Sequence, residues 1–281
     1  MTHRLLWTLA LLPGFIACNN TPPPVSKTSP DEQVLMALLY QQKAAEYRAL
    51  CLQAYHIAGE KVAAAARNQR SALPLAVVTD LDETALDNSA NEAWLYQHDT
   101  TFWPAQFNQW CTYAAADSIP GSVQFFRFVD GLKDRKGRKI DIYYVSNRDD
   151  SIVGVTMKNM DSLGFPQLSR EHFLFKKGSS SSKQTRRDSI AAGHLIVALL
   201  GDNLADHDSA FDGKDMDARR LATDRLSAEW GTRYIVFPNA TYGDWEGALY
   251  KAYIKEHHGY PGLGARDSIR RSLLKAFPTS K

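Results

Sequence analysis

Asp80 and Asp82 stand one residue apart in Leu75-Ala76-Val77-Val78-Thr79-Asp80-Leu81-Asp82-Glu83-Thr84, where an apolar run gives out. In open α/β sheets ligands bind just beyond the carboxyl ends of the strands, so carboxylates there sit on a rigid element facing a crevice. Two carboxyls in one site can divide the work of phosphoryl chemistry: one attacks phosphorus while the other handles protons. The bland alternative is a pair of helix-capping or solvated turn residues. An EF-hand loop fits less well, because the glycine and the distal glutamate are missing at the required offsets.

Three further strand ends carry matching chemistry. One apolar run ends in Ser146-Asn147-Arg148, where the serine hydroxyl and nearby amides can donate to a phosphoryl oxygen; the alternative is a serine cap before Asp149. Lys183 follows Lys176-Lys177-Gly178-Ser179-Ser180-Ser181-Ser182. That stretch lacks the G-K-[ST] ending of a nucleotide triphosphatase loop, but a lone lysine can still offset charge on a nucleophile and a phosphoryl group. A fourth run enters Gly201-Asp202-Asn203-Leu204-Ala205-Asp206. Carboxylate oxygens are the ligands Mg²⁺ takes, in an octahedral shell completed by water and substrate phosphate.

The elements that must position these groups can be read from hydrophobic patterning. Apolar runs at 75–79, 140–145, 172–175, 195–200 and 234–237 are continuous rather than alternating, as expected for parallel strands covered on both faces. Helical patterns lie between them at 123–132, 152–163 and 185–192. Strand alternating with helix predicts an α/β fold: a doubly wound, mainly parallel sheet with a smaller helical lobe. Ser29-Pro30-Asp31-Glu32 reads as a helix start, and helical spacing continues to about residue 70, with a break expected near Gly59. Residues 92–119, rich in aromatics, read as an insertion at the mouth of the site or as a satellite core; with 31–70 and the C-terminal helices they would form the helical lobe.

The order D-x-D-x-T, then serine, then lysine, then G-D-N-x-x-D resembles the haloacid dehalogenase (HAD) superfamily. With Pro238-Asn239-Ala240-Thr241-Tyr242-Gly243-Asp244-Trp245-Glu246, it resembles more narrowly the class C nonspecific acid phosphatases, outer-membrane lipoproteins that also act as 5′-nucleotidases. The resemblance spans residues 32–253 and implies a HAD-like Rossmannoid core and one Mg²⁺ per chain. It implies Asp80 as the nucleophile that forms an aspartyl-phosphate and Asp82 as the general acid/base. Ser146, Asn147 and Lys183 would bind phosphate. Asp80, the backbone carbonyl of Asp82 and Asp202 would ligate the metal, with Asp206 supporting its shell. Phe107 and Tyr242 would flank a substrate base. Ala205 and His207 depart from the family around Asp206, and Phe107 stands where tryptophan is common. Asp82 also points to phosphatase chemistry within the superfamily, since a dehalogenase needs no proton donor there.

Whole-chain features bound the remainder. The 281 residues suit one large domain or a domain with an elaborated lobe, and 44% hydrophobic with 23% charged residues is an ordinary globular composition. A net charge of +2 with no basic run among aromatics argues against a nucleic-acid polymer as partner. Residues 1–18 read as a lipoprotein signal peptide: His3 and Arg4 precede an apolar run too short to span a bilayer, ending in Phe15-Ile16-Ala17-Cys18. Cys18 would carry the lipid and residues 19–30, polar and proline-rich, would be the tether to an outer-membrane anchor; the alternative is an ordinary secreted protein. Cys51 and Cys111 read as free, partly buried thiols. The expected partner is a small phosphomonoester (a nucleotide, nicotinamide mononucleotide or an aryl phosphate), with monomer and homodimer both open. A reading from another class is a surface lipoprotein whose main work is binding a ligand such as haem, with minor phosphatase activity.

Overall fold

The computed structural model describes residues 32–276. The expected signal peptide, the lipidation residue Cys18, the tether and the Ser29-Pro30 helix start lie outside these residues. Two helices come first, α1 (Glu32–Lys43) and α2 (Ala45–Asn68). They break at Ala44, which is extended at φ −75° and ψ 130°, and not at Gly59 as expected from the sequence. A glycine in a helix weakens it by ~1 kcal/mol without ending it. Here it lies against the ring of Phe128, 3.7 Å from where a Cβ would sit.

Strand β1 (Leu75–Thr79) is followed by a hairpin-like pair, β2 (Leu86–Asp87) with β3 (Asp117–Ser118), and between these lie α3 (Ser89–Gln97) and α4 (Pro104–Thr112). Next come α5 (Ser122–Gly131), β4 (Asp141–Asp149), α6 (Val153–Leu163), β5 (Phe173–Lys176), α7 (Gln184–Ala191) and β6 (Leu195–Gly201). The chain ends with α8 (Met216–Arg225), β7 (Tyr234–Val236), α9 (Asp244–Leu249), α10 (Lys251–His257) and α11 (Leu263–Ser272). The sheet has the order β5-β4-β1-β6-β7 and every pairing in it is parallel.

Residues of β1 alternate between two cores, which is why its run is apolar throughout. Leu75 and Val77 face a large cluster that includes Tyr55, Phe126, Ile142 and Phe237, while Ala76 and Val78 face a smaller one with Val145, Ile190 and Leu199. Burying both faces of a strand removes every side chain from water, and each Val or Leu so buried stabilises by ~1.5–3 kcal/mol. Helix α2 covers the larger face with Tyr47, Cys51, Ala54, Tyr55, Ala58, Val62 and Ala66, a single helical stripe. Tyr55 packs against Phe237 with ring centroids 4.6 Å apart and planes tilted by 53°, and its hydroxyl donates to the carbonyl of Thr84, fixing α2 against the loop that leaves β1. Cys51 and Cys111 are buried free thiols on different helices. No helix among the described residues is long and apolar enough to cross a membrane.

Candidate active site

Strand β1 is central, so its carboxyl end is flanked by those of β4 and β6. The chain leaves β1 in a tight turn: the amides of Thr84, Ala85 and Leu86 all donate to the carbonyl of Leu81. That turn holds Asp80 and Asp82 at the mouth of a cavity of about 380 Å³. Asp80, Asp82, Asn147, Lys183, Asp202, Asp206, Phe107 and Tyr242 all line this cavity. Ser146 is buried beneath it, with its hydroxyl 3.3 Å from Oδ2 of Asp82.

The two aspartates of the pair are held by different cations. Lys183, at the start of α7, donates from Nζ to Asp80 Oδ1 and lies 2.6 Å from Asp206 Oδ1. All three side chains are almost fully buried. Asp82 instead faces Arg148, whose Nε and Nη2 reach its Oδ1 at 2.9 and 2.7 Å. Asn88 adds a third donor to that oxygen at 2.8 Å. The guanidinium is fixed in turn by Thr156 Oγ1 at 3.1 Å and Asn88 Oδ1 at 3.3 Å. Arg148 lies two positions after Ser146 on β4, so both project to one side of the strand, and both are buried while Asn147 is exposed. Asn147 bridges backbone and side chain around the site: it donates to the Ser181 carbonyl at 2.9 Å and accepts from Arg186 at 2.6 Å.

Asp202 follows the last residue of β6 and accepts from Asn239 Nδ2 at 2.8 Å. Asp206 follows on a short 3₁₀ turn closed by a capping box with Asn203, and Arg187 of α7 donates to the carbonyls of Ala205 and Asp206, both at 2.8 Å. Gly201 is required here by close approach, because any Cβ would collide with the Asp206 side chain.

Carboxylate oxygens of Asp80, Asp202 and Asp206 lie within 4.8 Å of one another. Burial pushes the Asp80 carboxyl up to about 7, opposed by Lys183 and reinforced by Asp206 and Asp82. Burial, with Asp206 and Asp80 beside it, likewise holds Asp202 well above the usual carboxylate range. Burial disfavours charge on Lys183, but Asp206 and Asp80 outweigh it and keep the ammonium protonated. Three crowded carboxylates facing one ammonium leave negative charge uncompensated. Hard oxygen donors in such a cluster fit a divalent cation, which would relieve that repulsion. Asp206 is thus near enough to contribute directly to the cation site as well as supporting it through Lys183.

Several functional side chains escape sequence reasoning. Arg148 could have been found from strand alternation, since it shares a face with Ser146. Asn88 gave no such signal, and Asn239 stood out only as part of the Pro238–Glu246 segment; both matter through the hydrogen bonds they make across the chain. Glu83 is fully buried at φ 56° and receives hydrogen bonds from the Tyr242 hydroxyl and the Asn88 amide, the latter at 2.7 Å. Phe102 and Glu92 join the cavity wall from the α3–α4 region, where Phe102 and Phe107 lie 5.8 Å apart. The insertion therefore supplies both expected kinds of residue, some packed and some facing the cavity.

Comparison with known proteins bears directly on this arrangement. The profile of HAD superfamily, subfamily IIIB (Acid phosphatase) matches residues 19–245. The class C acid phosphatase from Bacillus anthracis is 37% identical, with a TM-score of 0.80, over 89% of this chain and 100% of that one. A second structure of that Bacillus anthracis enzyme, with tungstate bound, is also 37% identical, with a TM-score of 0.79 over 88% of this chain and 99% of that one. The fold and the sequence agree over nearly all of the described residues, and the chain belongs to the class C acid phosphatases of HAD subfamily IIIB, enzymes that hydrolyse phosphomonoesters.

Proposed function

We propose that this acid phosphatase is Mg²⁺-dependent and hydrolyses nucleoside 5′-monophosphates through an aspartyl-phosphate on Asp80. The observation that carries the proposal is the unequal environment of the two aspartates: Asp80 on Lys183 and Asp82 on Arg148. An Asp80 oxygen attacks phosphorus as the bond to the alcohol oxygen breaks, and Asp82 gives that oxygen its proton. Asp82 then takes a proton from water, which attacks the phosphorylated Asp80, releasing inorganic phosphate and restoring the carboxylate. Lys183 and Ser146 offset the charge of the transferring group. Bound Mg²⁺, held by Asp80 and Asp202 with Asp206 beside them, would supply positive charge at the phosphoryl oxygens. Tungstate in the Bacillus anthracis enzyme is a tetrahedral oxyanion, consistent with a pocket of this kind binding phosphate.

Nucleotide preference rests on Phe107 and Tyr242, which line the same cavity as the aspartates and can stack on a base for ~1–3 kcal/mol each. Phosphate release from a panel of nucleoside monophosphates, with and without Mg²⁺ after exhaustive chelation, tests the proposal. Activity should vanish on chelation and return with Mg²⁺, and Asp80→Asn should be inactive. Full activity without metal, or more than a few per cent of activity in Asp80→Asn, would refute it. The anchor is proposed from the sequence: lipid on Cys18 would hold the enzyme at the outer membrane, and Cys18→Ser should release it, active, into the soluble fraction.

A further inference from the structure

We infer that Glu92 is a specificity-determining residue, whose carboxyl accepts a hydrogen bond from a donor on the nucleoside portion of the substrate. The inference rests on the nucleotide reading above and deepens it. Glu92 stands in the first turn of α3 and lines the same cavity as the catalytic aspartates and the aromatic pair. Its orientation is built, not incidental. Asn91 donates to its Oε1 at 3.2 Å, and Asn91, itself 1% exposed, is held by Gln106 at 2.6 Å. Gln106 is buried and immediately precedes Phe107 on α4, so one chain of hydrogen bonds sets both the ring and the carboxyl.

Among the described residues that bond from Asn91 is the only one to the Glu92 side chain, and it leaves Oε2 without a protein partner. No cation offsets the carboxyl, and burial pushes its pKa up to about 7. A partly buried carboxyl with no cation beside it gains from a ligand that brings a donor to its free oxygen. The phosphate end of the cavity already has Lys183 and Ser146. A donor that reaches Glu92 must therefore come from the alcohol part of the ester, either a ribose hydroxyl or an exocyclic base amine.

Steady-state kinetics on the intact enzyme with adenosine 5′-monophosphate, its 2′-deoxy form, inosine 5′-monophosphate and phenyl phosphate test this. Phenyl phosphate keeps an aromatic ring and has no donor. Glu92→Leu should lose tenfold or more in kcat/KM on adenosine 5′-monophosphate, mainly through KM, and stay within about twofold of wild type on phenyl phosphate. Glu92→Gln, which keeps an acceptor oxygen, should retain most of the nucleotide activity. The source of the donor is read from the wild type: whichever of the 2′-deoxy form and inosine 5′-monophosphate falls to the Glu92→Leu level lacks it. A wild-type preference for nucleotide over phenyl phosphate that persists unchanged in Glu92→Leu overturns the role of Glu92 alone. No such preference in the wild type overturns the nucleotide reading and the inference together. Equal losses on all four substrates, with a lower melting temperature, would mean that Glu92 only supports the fold and would also overturn the inference.

Discussion

Replacing Arg148 with methionine separates what holds Asp82 from what it does. The substitution keeps the apolar stem but removes two N–H donors from Asp82 Oδ1 and the bonds to Thr156 and Asn88. Removing one partner of a buried ion pair costs about 3–5 kcal/mol. The Arg148 side chain is 2% exposed but Asp82 is 19% exposed, so water can recover part of the charge and the lower end, ~3 kcal/mol, is expected. For a chain of this length that lowers the melting temperature by roughly 6–12 °C. The kinetic effect should depend on the leaving group. A nitrophenolate departs without a proton, whereas an alkoxide needs one from Asp82, and general acid–base catalysis contributes ~10²–10⁴-fold. Arg148→Met should therefore lower kcat/KM for an alkyl phosphate at least tenfold more than for p-nitrophenyl phosphate. Arg148→Lys, which cannot make the fork of two N–H bonds, should fall between. Parallel Brønsted series on wild type and variant would show the difference as a steeper dependence on leaving-group basicity. Equal losses on good and poor leaving groups would refute the claim that Arg148 acts by positioning the proton donor.

Gly201→Ala should destabilise by about 1–3 kcal/mol and reduce activity together, because the new methyl group displaces Asp206; wild-type denaturation and turnover would contradict that packing. Asp134 gives a pH-dependent contribution. Burial raises its carboxyl, but the Arg138 side chain and the amides of Arg138 and Lys136 outweigh it and hold it below the usual range. Since the folded value lies below the unfolded one, the stabilisation is complete above about pH 4 and is lost as pH falls further. Asp134→Asn should thus be less stable than wild type at pH 7, with the gap closing below about pH 4 in urea titrations.

Continuous apolar strands and the groups that terminate them were legible in the sequence, because burial on both faces leaves little choice of residue at 75–79 or 195–200. Strand order was not legible: nothing local says that β1 is central. The helix break was expected at Gly59 and occurs at Ala44, since packing against Phe128 keeps Gly59 helical while the chain turns at a residue with no breaking propensity. Strands β2 and β3, two residues each, are too short to show alternation. In the site, side chains with one chemical role stood out, while those that hold them did not. Asn88 contacts Asp82, Glu83, Trp110 and Arg148, all distant or non-periodic in sequence, and an isolated asparagine gives no hint of this.

The central place of β1 also fixes when activity can arise as the chain folds. Ala76 pairs with Asp141 on one side and Leu75 with Leu195 on the other, so the nucleophile strand closes only through very long loops. Such non-local pairings carry a large loop-closure entropy and form slowly. Asp80 cannot meet Lys183, nor Asp202 approach Asp80, until both closures are complete. Hydrolytic competence is then acquired late and all at once, and a partly folded chain stays catalytically silent until its last strands dock.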